Sequence, residues 1–305
     1  MSGHEFFYFL LSCLPGVGTV KAQRLLAYFG QAPEHALSAG LTELMEAGGL
    51  KADQAASFVK LRDSGEAAKR YLKMKRSGIS MVCAGDEDYP ESLNQIPGKP
   101  LCLYYRGALP DSGDPAAAVV GARRCTVYGK QTAMQIGKVC AENGISVISG
   151  LAVGIDSAAG RAAILAGGRT WAVLACGVDI CYPRENIDLF EGILETGGGI
   201  LSEYPPGTKP LRAHFPVRNR LISGLSDVCV VVEAAGKSGS LITADQAAEQ
   251  GRDILAVPGR MSDEMSRGCN FLIAQGAQIL LEPSDIVRHP DIQRKKQMGN
   301  SGQTE

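Results

Sequence analysis

From residue 79 onward, short and nearly continuous apolar runs alternate with stretches of helical periodicity. Seven runs predict buried strands, at 116–122, 146–150, 170–177, 199–204, 227–234, 253–259 and 277–283. Two further short strands are predicted at 79–86 and 101–109, around a proline-rich connection. Apolar runs without a polar face, separated by helices, are typical of a parallel sheet that is covered on both sides. The pattern therefore predicts an α/β fold.

The first 78 residues follow a different pattern, in which helical segments are separated by glycine or proline. We predict six helices there, at 5–13, 19–29, 33–39, 42–48, 51–64 and 66–77. The end of the chain is polar and is predicted to be disordered. We therefore expect a helical domain at 1–78, a sheet domain at 79–290 and a disordered tail at 291–305.

The loops that follow the predicted strands are rich in Gly, Ser, Asn and Arg. Because the carboxyl ends of parallel strands share one edge, we expect these loops to form a common rim, where such sheets bind ligands. The loops are net positive together, although the whole chain has a formal net charge of -1. Short glycine loops that precede helices also expose N–H groups that suit phosphate. The rim is therefore predicted to bind several phosphates.

Two arginines stand out within the segment 215–227, which reads FPVRNRLISGLSD. Arg218 and Arg220 flank Asn219, where a loop is predicted to lead into a helix that begins near Leu221. Both arginines are expected to bind phosphates and to contribute little to core packing. The alternative is that they are solvated or pair with an acid such as Glu203.

Aromatic side chains near the rim offer a second kind of contact. Phe215, Tyr204, Tyr182 and Tyr128 could stack on bases, or Phe215 and Tyr204 could simply anchor their loops. Aromatic residues make up only 6% of the chain, so phosphate contacts are expected to contribute more than stacking.

Common catalytic and nucleotide-binding motifs do not occur in the sequence. The first strand–helix turn of the sheet reads GARRCT and lacks the dinucleotide fingerprint G-x-G-x-x-G. The GKS at 236–238 has Val231 where a P-loop requires glycine. Asp156 is predicted to be a helix N-cap rather than a general base, and Ser238 and Ser240 to be helix caps or phosphate ligands. The histidines His4, His35, His214 and His289 are scattered, so neither a metal nor a cofactor is expected.

Nine cysteines form no C-x-x-C pair, and several lie in apolar runs. We interpret them as reduced thiols of a cytoplasmic protein. The apolar segment near the N-terminus lacks a basic region and a cleavage site and is too short to span a bilayer, so no membrane association is expected.

The segment 14–30 has a glycine-rich turn between two predicted helices. Pro15, Gly16 and Gly18 form the turn, and Lys21 and Arg24 lie in the first turns of the second helix. The segment resembles a helix-hairpin-helix motif, whose turn offers N–H groups to a DNA phosphate. Whether it binds DNA or serves only in packing stays open at this point.

Several long blocks occur in one order: GARRCTVYG, SGLAVGIDSAAG, AVLACGVDICYPRENIDL, SEYPPGTKPLRAHFPVRNRLISGLSD, VVVEAAGKSGSLITADQAAEQGR, AVPG and GCNFLIAQGA. By these blocks, residues 79–288 strongly resemble the DprA/Smf family of DNA-processing proteins, and 1–78 resemble it more loosely. The resemblance implies an extended Rossmann-like, mostly parallel sheet with an N-terminal helical helix-hairpin-helix (SAM-like) domain. It implies a homodimer that binds single-stranded DNA without sequence preference and loads the RecA recombinase during natural transformation, and it implies no enzymatic activity.

The family's motifs fall on named positions of this chain. They assign DNA binding to Gly121, Arg123, Arg124, Ser149, Gly150, Gly154, Lys209, Phe215, Arg218, Asn219, Arg220, Lys237, Ser238, Gly239 and Ser240. Which of Arg123 and Arg124 contacts phosphate is left open. Many members carry a further winged-helix-like domain at the C-terminus, which we expect to be absent here.

A Rossmann-like nucleotide phosphate hydrolase is the alternative function. Arg218, Glu233 and the turn GKSGSLIT could imitate the site of such an enzyme. The paired glycines and the downstream Glu of those hydrolases are missing at this turn. Single-stranded DNA binding is therefore the favoured hypothesis.

Overall fold

The computed structural model describes residues 3–301. Its N-terminal part contains six helices: α1 (Gly3–Ser12), α2 (Thr19–Tyr28), α3 (Pro33–Ser38), α4 (Leu41–Gly48), α5 (Ala52–Asp63) and α6 (Glu66–Arg76). All six were predicted within two residues at each end. Helix α1 is the most apolar of them, and the side chains from Phe6 to Leu11 are all buried. Burial on every side places α1 at the centre of the helical part.

The rest of the chain is built on one sheet of nine strands, in the order β1-β2-β6-β5-β4-β3-β7-β8-β9. The strands are β1 (Ser80–Cys83), β2 (Cys102–Gly107), β3 (Ala116–Val120), β4 (Ser146–Ser149), β5 (Thr170–Val173), β6 (Gly199–Ser202), β7 (Val228–Val231), β8 (Asp253–Ala256) and β9 (Gln278–Ile279). Strands β3 to β9 are mutually parallel, whereas β1 and β2 pair antiparallel at one side of the sheet. The predicted α/β class and mostly parallel sheet are confirmed.

Helices connect the parallel strands, and two more follow the last strand. They are α7 (Val127–Glu142), α8 (Ile155–Leu165), α9 (Ile187–Glu195), α10 (His214–Gly224), α11 (Gly239–Glu249), α12 (Arg267–Ala274), α13 (Ser284–Arg288) and α14 (Pro290–Ser301). Because strand side chains alternate between faces, Ala118 of β3 packs on one face of the sheet and Val119 on the other. Helices α10, α11 and α12 cover the first face, together with the segment 89–96. The second face is covered by α7, α8 and α9 and by the N-terminal helices.

The N-terminal helices share their core with the sheet. Phe7 and Phe9 of α1 belong to the same cluster of buried side chains as Cys83 of β1 and Tyr104 of β2. The aromatic rings of Phe9 and Tyr104 meet edge to face, with centroids 6.3 Å apart. The helical part is therefore anchored to the antiparallel side of the sheet by apolar packing.

Two predictions about secondary structure were wrong. The segment predicted as a disordered tail forms α14, in which Ile292 is fully buried and Lys295 Nζ lies 2.8 Å from Asp227 Oδ1. Residues 302–305 lie outside the described part of the chain. Helix α10 begins at His214, so Arg218 and Arg220 lie inside a helix and not in a loop before it. Among residues 3–301, no helix combines the length and apolarity needed to cross a membrane.

Candidate nucleic-acid interface

Helix α10 lies at the carboxyl edge of the sheet and separates two depressions. On one side, Phe215, Arg218, Asn219 and Ile222 line a pocket of about 370 Å³, here called the switch-point pocket. On the other side, His214, Val217 and Arg220 line a larger groove of about 1060 Å³, here called the hairpin groove. Residues three or four positions apart share one side of a helix. Arg218 and Arg220 are two positions apart, so their side chains lie on different sides of α10 and in different depressions.

The switch-point pocket lies where the order of strands reverses. Strand β3 is the first parallel strand in the chain, and its two neighbours in the sheet are β4 and β7. The loops that follow β3, β4 and β7 all contribute to the pocket, through Arg123, Ala152 and Ala235. Open α/β sheets bind ligands at such a reversal, because the adjacent loops diverge and leave a crevice between them.

The loop after β3 presents two exposed arginines, Arg123 and Arg124. Among residues 3–301, no carboxylate lies within 4.0 Å of either guanidinium group. Gly121 has no room for a side chain, because an added Cβ would stand 2.6 Å from Ile155 Cγ1 and 3.0 Å from the Glu233 carbonyl oxygen. The loop is thus held close to the sheet while its arginines face solvent.

Glu233 holds the far end of this loop. Its buried carboxylate accepts hydrogen bonds from Thr126 N (2.8 Å) and Thr126 Oγ1 (2.5 Å), at the start of α7. It also leaves no space for a side chain at Gly129. Glu233 is not among the residues that line the switch-point pocket, so the carboxylate on which the hydrolase alternative depends is bound to α7 instead.

The loop after β4 is organised by Asp156. Its buried carboxylate accepts hydrogen bonds from Gly150 N (3.0 Å) and Ala152 N (3.4 Å). Burial raises the pKa of Asp156, although the nearby Arg218 charge and the two N–H donors favour the ionised form. The predicted N-cap role was wrong, because Gly154 occupies that position and Asp156 lies in the first turn of α8.

Gly154 has a backbone role in the same loop. Its φ of +88° is a conformation that favours glycine, and an added Cβ would stand 2.3 Å from the Ala122 carbonyl oxygen. Ser149 and Gly150 are buried. These three predicted site residues therefore shape the loop and do not line the pocket.

Arg218 contradicts the prediction that it contributes little to packing. Its side chain is buried at the floor of the pocket, where Nη1 donates to the Gly150 carbonyl oxygen at 3.0 Å and also to the Val173 carbonyl oxygen. Burial lowers the pKa of Arg218 to about 10, although Asp156 opposes this shift. Arg218 thus ties α10 to the ends of β4 and β5.

Phe215 lies over Arg218 at the edge of the pocket. The Arg123 guanidinium carbon is 5.3 Å from the centroid of the Phe215 ring, and that of Arg218 is 6.0 Å away. The ring of Tyr182 lies 5.8 Å from it at a tilt of 58°. Cations attract the faces of aromatic rings. The contacts with Arg123 and Arg218 therefore orient the half-exposed ring of Phe215 at the rim.

The loop after β7 completes the pocket with the N-terminus of α11. Ser238 caps the helix through a hydrogen bond from Ser240 N at 3.4 Å, which confirms its predicted role as a cap. Asn219 Nδ2 donates to the Gly239 carbonyl oxygen at 3.2 Å and thereby joins α10 to α11. A helix N-terminus with free N–H groups attracts anions, so this wall also suits phosphate.

Arg220 points into the hairpin groove. Its Nη2 lies 2.5 Å from Glu203 Oε2, and its Nε donates to the Gly98 carbonyl oxygen at 3.0 Å. The alternative that an arginine of this segment pairs with Glu203 is confirmed for Arg220. Arg218 has different partners.

The predicted site residues divide into two sets. Those that line the switch-point pocket are Gly121, Arg123, Arg124, Phe215, Arg218, Asn219, Ser238, Gly239 and Ser240. Those outside it are Ser149, Gly150, Gly154, Lys209, Arg220 and Lys237. Lys209 and Lys237 are exposed. The pocket is also lined by Ile242, Thr243 and Met265, which were not predicted. The spacing of Gly239, Ile242 and Thr243 follows one side of α11 and could have indicated two of them.

Within residues 3–301, two groups of side chains have the spacing of metal ligands, and both lie outside the pocket. They are His4, Cys83 and Asp86, and Asp253, His289 and Asp291. Burial raises the pKa of Cys83 far above its ordinary range, which disfavours the thiolate that a metal would bind. In the second group, His289 Nε2 is 3.1 Å from Asp253 Oδ2 at the base of α14. Neither group lines the switch-point pocket or the hairpin groove.

Comparisons with known proteins identify relatives over most of the chain. The profile of DNA recombination-mediator protein A matches residues 80–290. DNA processing protein DprA of Streptococcus pneumoniae is 44% identical over 204 residues, which cover 66% of this chain and 71% of the relative. Protein Smf of Synechocystis sp. is 36% identical over 292 residues, which cover 94% of this chain and 73% of that protein.

Two solved structures are similar as well. The X-ray structure of DNA processing protein A from Streptococcus pneumoniae has a TM-score of 0.79 at 33% identity and covers 95% of this chain and 98% of its own. The structure of DNA processing protein A from Helicobacter pylori, which concerns the single-stranded DNA binding mode of that protein, has a TM-score of 0.61 at 30% identity. It covers 69% of this chain and 94% of the Helicobacter pylori chain.

Proposed function

Because this chain belongs to the DNA recombination-mediator protein A family, we propose that it binds single-stranded DNA at the switch-point pocket, without sequence preference. The observation that carries the proposal is the pair of exposed arginines, Arg123 and Arg124, beside the half-exposed Phe215 ring. A cationic rim next to an aromatic face is the usual arrangement in proteins that bind single strands. A relative from Helicobacter pylori also binds single-stranded DNA.

The proposed contacts are divided between phosphates and a base. Arg123 and Arg124 bind successive phosphates. The Gly239 N–H at the start of α11, which the Ser238 cap does not use, binds another. A base stacks on the exposed part of Phe215, which the neighbouring guanidinium groups hold in place. All bases have a face that can stack, so this mode of binding tolerates any sequence.

The hydrolase alternative has less support. Glu233, the carboxylate that such an enzyme would use, is bound by the backbone and hydroxyl of Thr126. Asp156, the acid that does line the pocket, is bound by the N–H groups of its own loop. We therefore propose a binding protein and not an enzyme.

Assembly and recombinase loading form a further part of the proposal. We propose that the protein is a homodimer and loads the RecA recombinase onto bound strands during natural transformation. Strand β9 ends the sheet, and apolar side chains around it are exposed: Phe271, Ile279 and Leu281. An exposed sheet edge with apolar neighbours favours pairing with a second copy. Leu281→Lys is expected to shift the light-scattering mass from dimer to monomer, and an unchanged mass would contradict this choice of surface.

A cytoplasmic location is proposed from the cysteines. All nine are unpaired, and most are buried. Free thiols in this number suit a reducing compartment.

The experiment that tests the proposed function compares strands. Single-stranded and duplex oligonucleotides of equal length are titrated with the protein over a salt series. We expect tighter binding of the single strand, little dependence on base composition, and a loss of affinity as salt increases. Equal or stronger duplex binding at every salt concentration would contradict the proposal.

A further inference from the structure

The hairpin groove is a second basic depression, which the proposed function does not use. It runs between the turn of the N-terminal hairpin (14–19), the segment 96–101 and the side of α10 that carries His214, Val217 and Arg220. Its volume of about 1060 Å³ is at the upper end of the range for pockets that enclose a small molecule. The size suits a segment of a polymer better than a single nucleotide.

The side chains that line the groove are strongly unbalanced in charge. Its cations are Lys21, Arg24, Arg70, Lys99 and Arg220. The only carboxylate among the lining residues is Glu203, and it is already paired with Arg220. The remaining cations are not neutralised within the groove.

Their other contacts leave this positive charge in place. Lys21 Nζ donates to the neutral amide oxygen of Gln54 at 2.6 Å, and Lys99 Nζ to that of Asn94 at 3.2 Å. Within the described part of the chain, no ion pair forms at Arg24 or Arg70. Such a groove attracts an anionic ligand.

The hairpin turn is held by side-chain hydrogen bonds and faces this groove. Gly16 has a φ of +69°, and an added Cβ at Gly18 would meet open space. Gln54 Nε2 donates to the Pro15 carbonyl oxygen at 2.9 Å, and Thr19 Oγ1 donates to the Lys99 carbonyl oxygen at 2.6 Å. Helix α2 begins here without a side-chain cap. In its first turn, Lys21 N and Ala22 N donate to the Gly18 carbonyl oxygen. The N–H groups of Thr19 and Val20 have no acceptor within the helix and lie beside Lys21 and Arg24.

We propose that the hairpin groove binds a second stretch of the same single strand through its phosphodiester groups, after the strand crosses α10. The inference rests on the proposed function of the switch-point pocket. The two depressions are separated only by the width of one helix, which is about 10 Å. Helix α10 contributes Phe215 and Arg218 to one of them and His214 and Val217 to the other. A strand that occupies both contacts free cations on each side of that helix.

A length series of oligodeoxythymidylates tests this inference. Lengths from about 4 to 16 nucleotides and longer cover the range from one site to two. For the wild-type protein, we expect affinity and salt slope to rise with length beyond the shortest strand that binds. For the double variant Arg24→Ala/Arg70→Ala, short strands bind as in the wild type, and the gain with length is lost. The salt slope for long strands falls by roughly 0.7 for each phosphate contact removed.

Lys69→Ala is the matched control. Lys69 is an exposed cation next to Arg70 on α6, and it does not line the groove, so its removal is expected to leave the length dependence unchanged. Unchanged binding of long strands by the Arg24/Arg70 double variant would overturn the inference, as would an equal loss for short and long strands. Absence of binding at every length in the wild type would instead contradict the proposed function itself.

Photo-crosslinking locates the strand without any substitution. A photoreactive thymine at successive positions of a long oligonucleotide is expected to crosslink near Phe215 at some positions and within 14–24 at others, as mapped by mass spectrometry. Crosslinks confined to the switch-point pocket would overturn the inference.

Discussion

The two depressions on either side of α10 contain the same kinds of residue but hold them differently. In the switch-point pocket, Arg218 is buried and donates to main-chain carbonyl groups, whereas Arg123 and Arg124 are exposed and form no ion pair with any described carboxylate. In the hairpin groove, Arg220 is paired with Glu203, whereas Arg24 is exposed. Each depression thus has one arginine that maintains the structure and others that remain free for a ligand.

The partners and the burial of an arginine decide whether it stabilises the fold or can bind a ligand. Arg218 and Arg220 are two residues apart on one helix. Arg218 donates to buried carbonyl groups, whereas Arg220 pairs with the Glu203 carboxylate in addition to donating to the Gly98 carbonyl group. An arginine whose guanidinium group is already bound within the protein is expected to bind a phosphate more weakly than a free arginine does. The contribution of each arginine to stability and to DNA affinity should therefore be separable by substitution.

Arg218→Ala gives the largest expected effect, and it concerns stability. The change leaves the Gly150 and Val173 carbonyl groups without a donor and Asp156 without its nearby positive charge. Loss of buried partners of this kind costs about 3 kcal/mol of unfolding free energy, and we expect Tm to fall by at least about 6 °C. Thermal unfolding measures the change.

Arg212→Ala is the control for that measurement. Arg212 is an exposed arginine just before α10, and its removal should leave Tm unchanged. If the Arg218→Ala protein were as stable as the Arg212→Ala protein, Arg218 would not stabilise the fold. Buried and exposed arginines would then not differ in their contribution to stability.

Arg123→Ala gives the next largest effect, and it concerns affinity. One charge-assisted contact with a phosphate contributes about 1.5 kcal/mol, which corresponds to roughly a tenfold weaker binding of single strands. The salt slope should become shallower by about 0.7, while Tm stays that of the wild type. Lys138→Ala, which removes an exposed cation on α7 that pairs with Glu142, should change neither quantity.

Glu203→Gln removes the charge that now pairs with Arg220 in the hairpin groove. The side chains of this ion pair are each only 15% exposed. Because the glutamine oxygen can still accept a hydrogen bond, the substitution should cost about 1.5 kcal/mol of stability. If the groove receives the strand, the released arginine makes long oligonucleotides bind a few times more tightly at low salt, with no change for short ones. The double variant Glu203→Gln/Arg220→Gln should lose this gain. A gain that persists in the double variant would mean that Arg220 is not its source.

The sequence predicted the strands and the rim because both depend on local pattern. The runs at 116–122 and 227–234 lack a polar face. This pattern is typical of strands in a sheet that is covered on both sides. The loops that follow them carry the glycines and Arg123 that the pocket uses. Their common location follows from the parallel direction of the strands alone.

The state of Arg218 could not be predicted in the same way. Its carbonyl partners lie 68 and 45 residues earlier in the chain, and no local pattern connects them. Helix α14 was missed for a similar reason. Its segment is polar, and it is fixed by buried Ile292 and by the pairing of Lys295 with Asp227 on a distant strand end. The hairpin groove is formed by segments that only the packing of α1 against the sheet brings together.

The smallest expected effect concerns pH and again contrasts a buried site with an exposed one. Burial raises the pKa of Asp156 above its ordinary value of 3.8, whereas hydrogen bonds from Arg161 lower the pKa of exposed Asp188 below it. At pH values between the pKa of Asp156 in the unfolded chain and its pKa in the folded protein, the folded protein binds more protons at this residue. The contribution of Asp156 to stability therefore decreases as pH rises from about 3.8 through the folded pKa. At Asp188 the sign is reversed, and stability present above pH 3.8 is lost as pH falls through the lowered pKa.

Urea unfolding of the wild type, Asp156→Asn and Asp188→Asn over a pH series separates these contributions. The asparagine amide oxygen can still accept the hydrogen bonds of Gly150 N and Ala152 N, so Asp156→Asn removes mainly the charge. The wild type should lose stability relative to Asp156→Asn as pH rises, by about 1.4 kcal/mol for each unit of pKa shift. Relative to Asp188→Asn it should gain stability over the acidic range, by less, because Asp188 is exposed and screened by solvent. If the stability of the wild type changed with pH in the same direction relative to both variants, Asp156 would behave as an ordinary ion-paired carboxylate. The floor of the switch-point pocket would then not be the low-dielectric environment that distinguishes it from the hairpin groove.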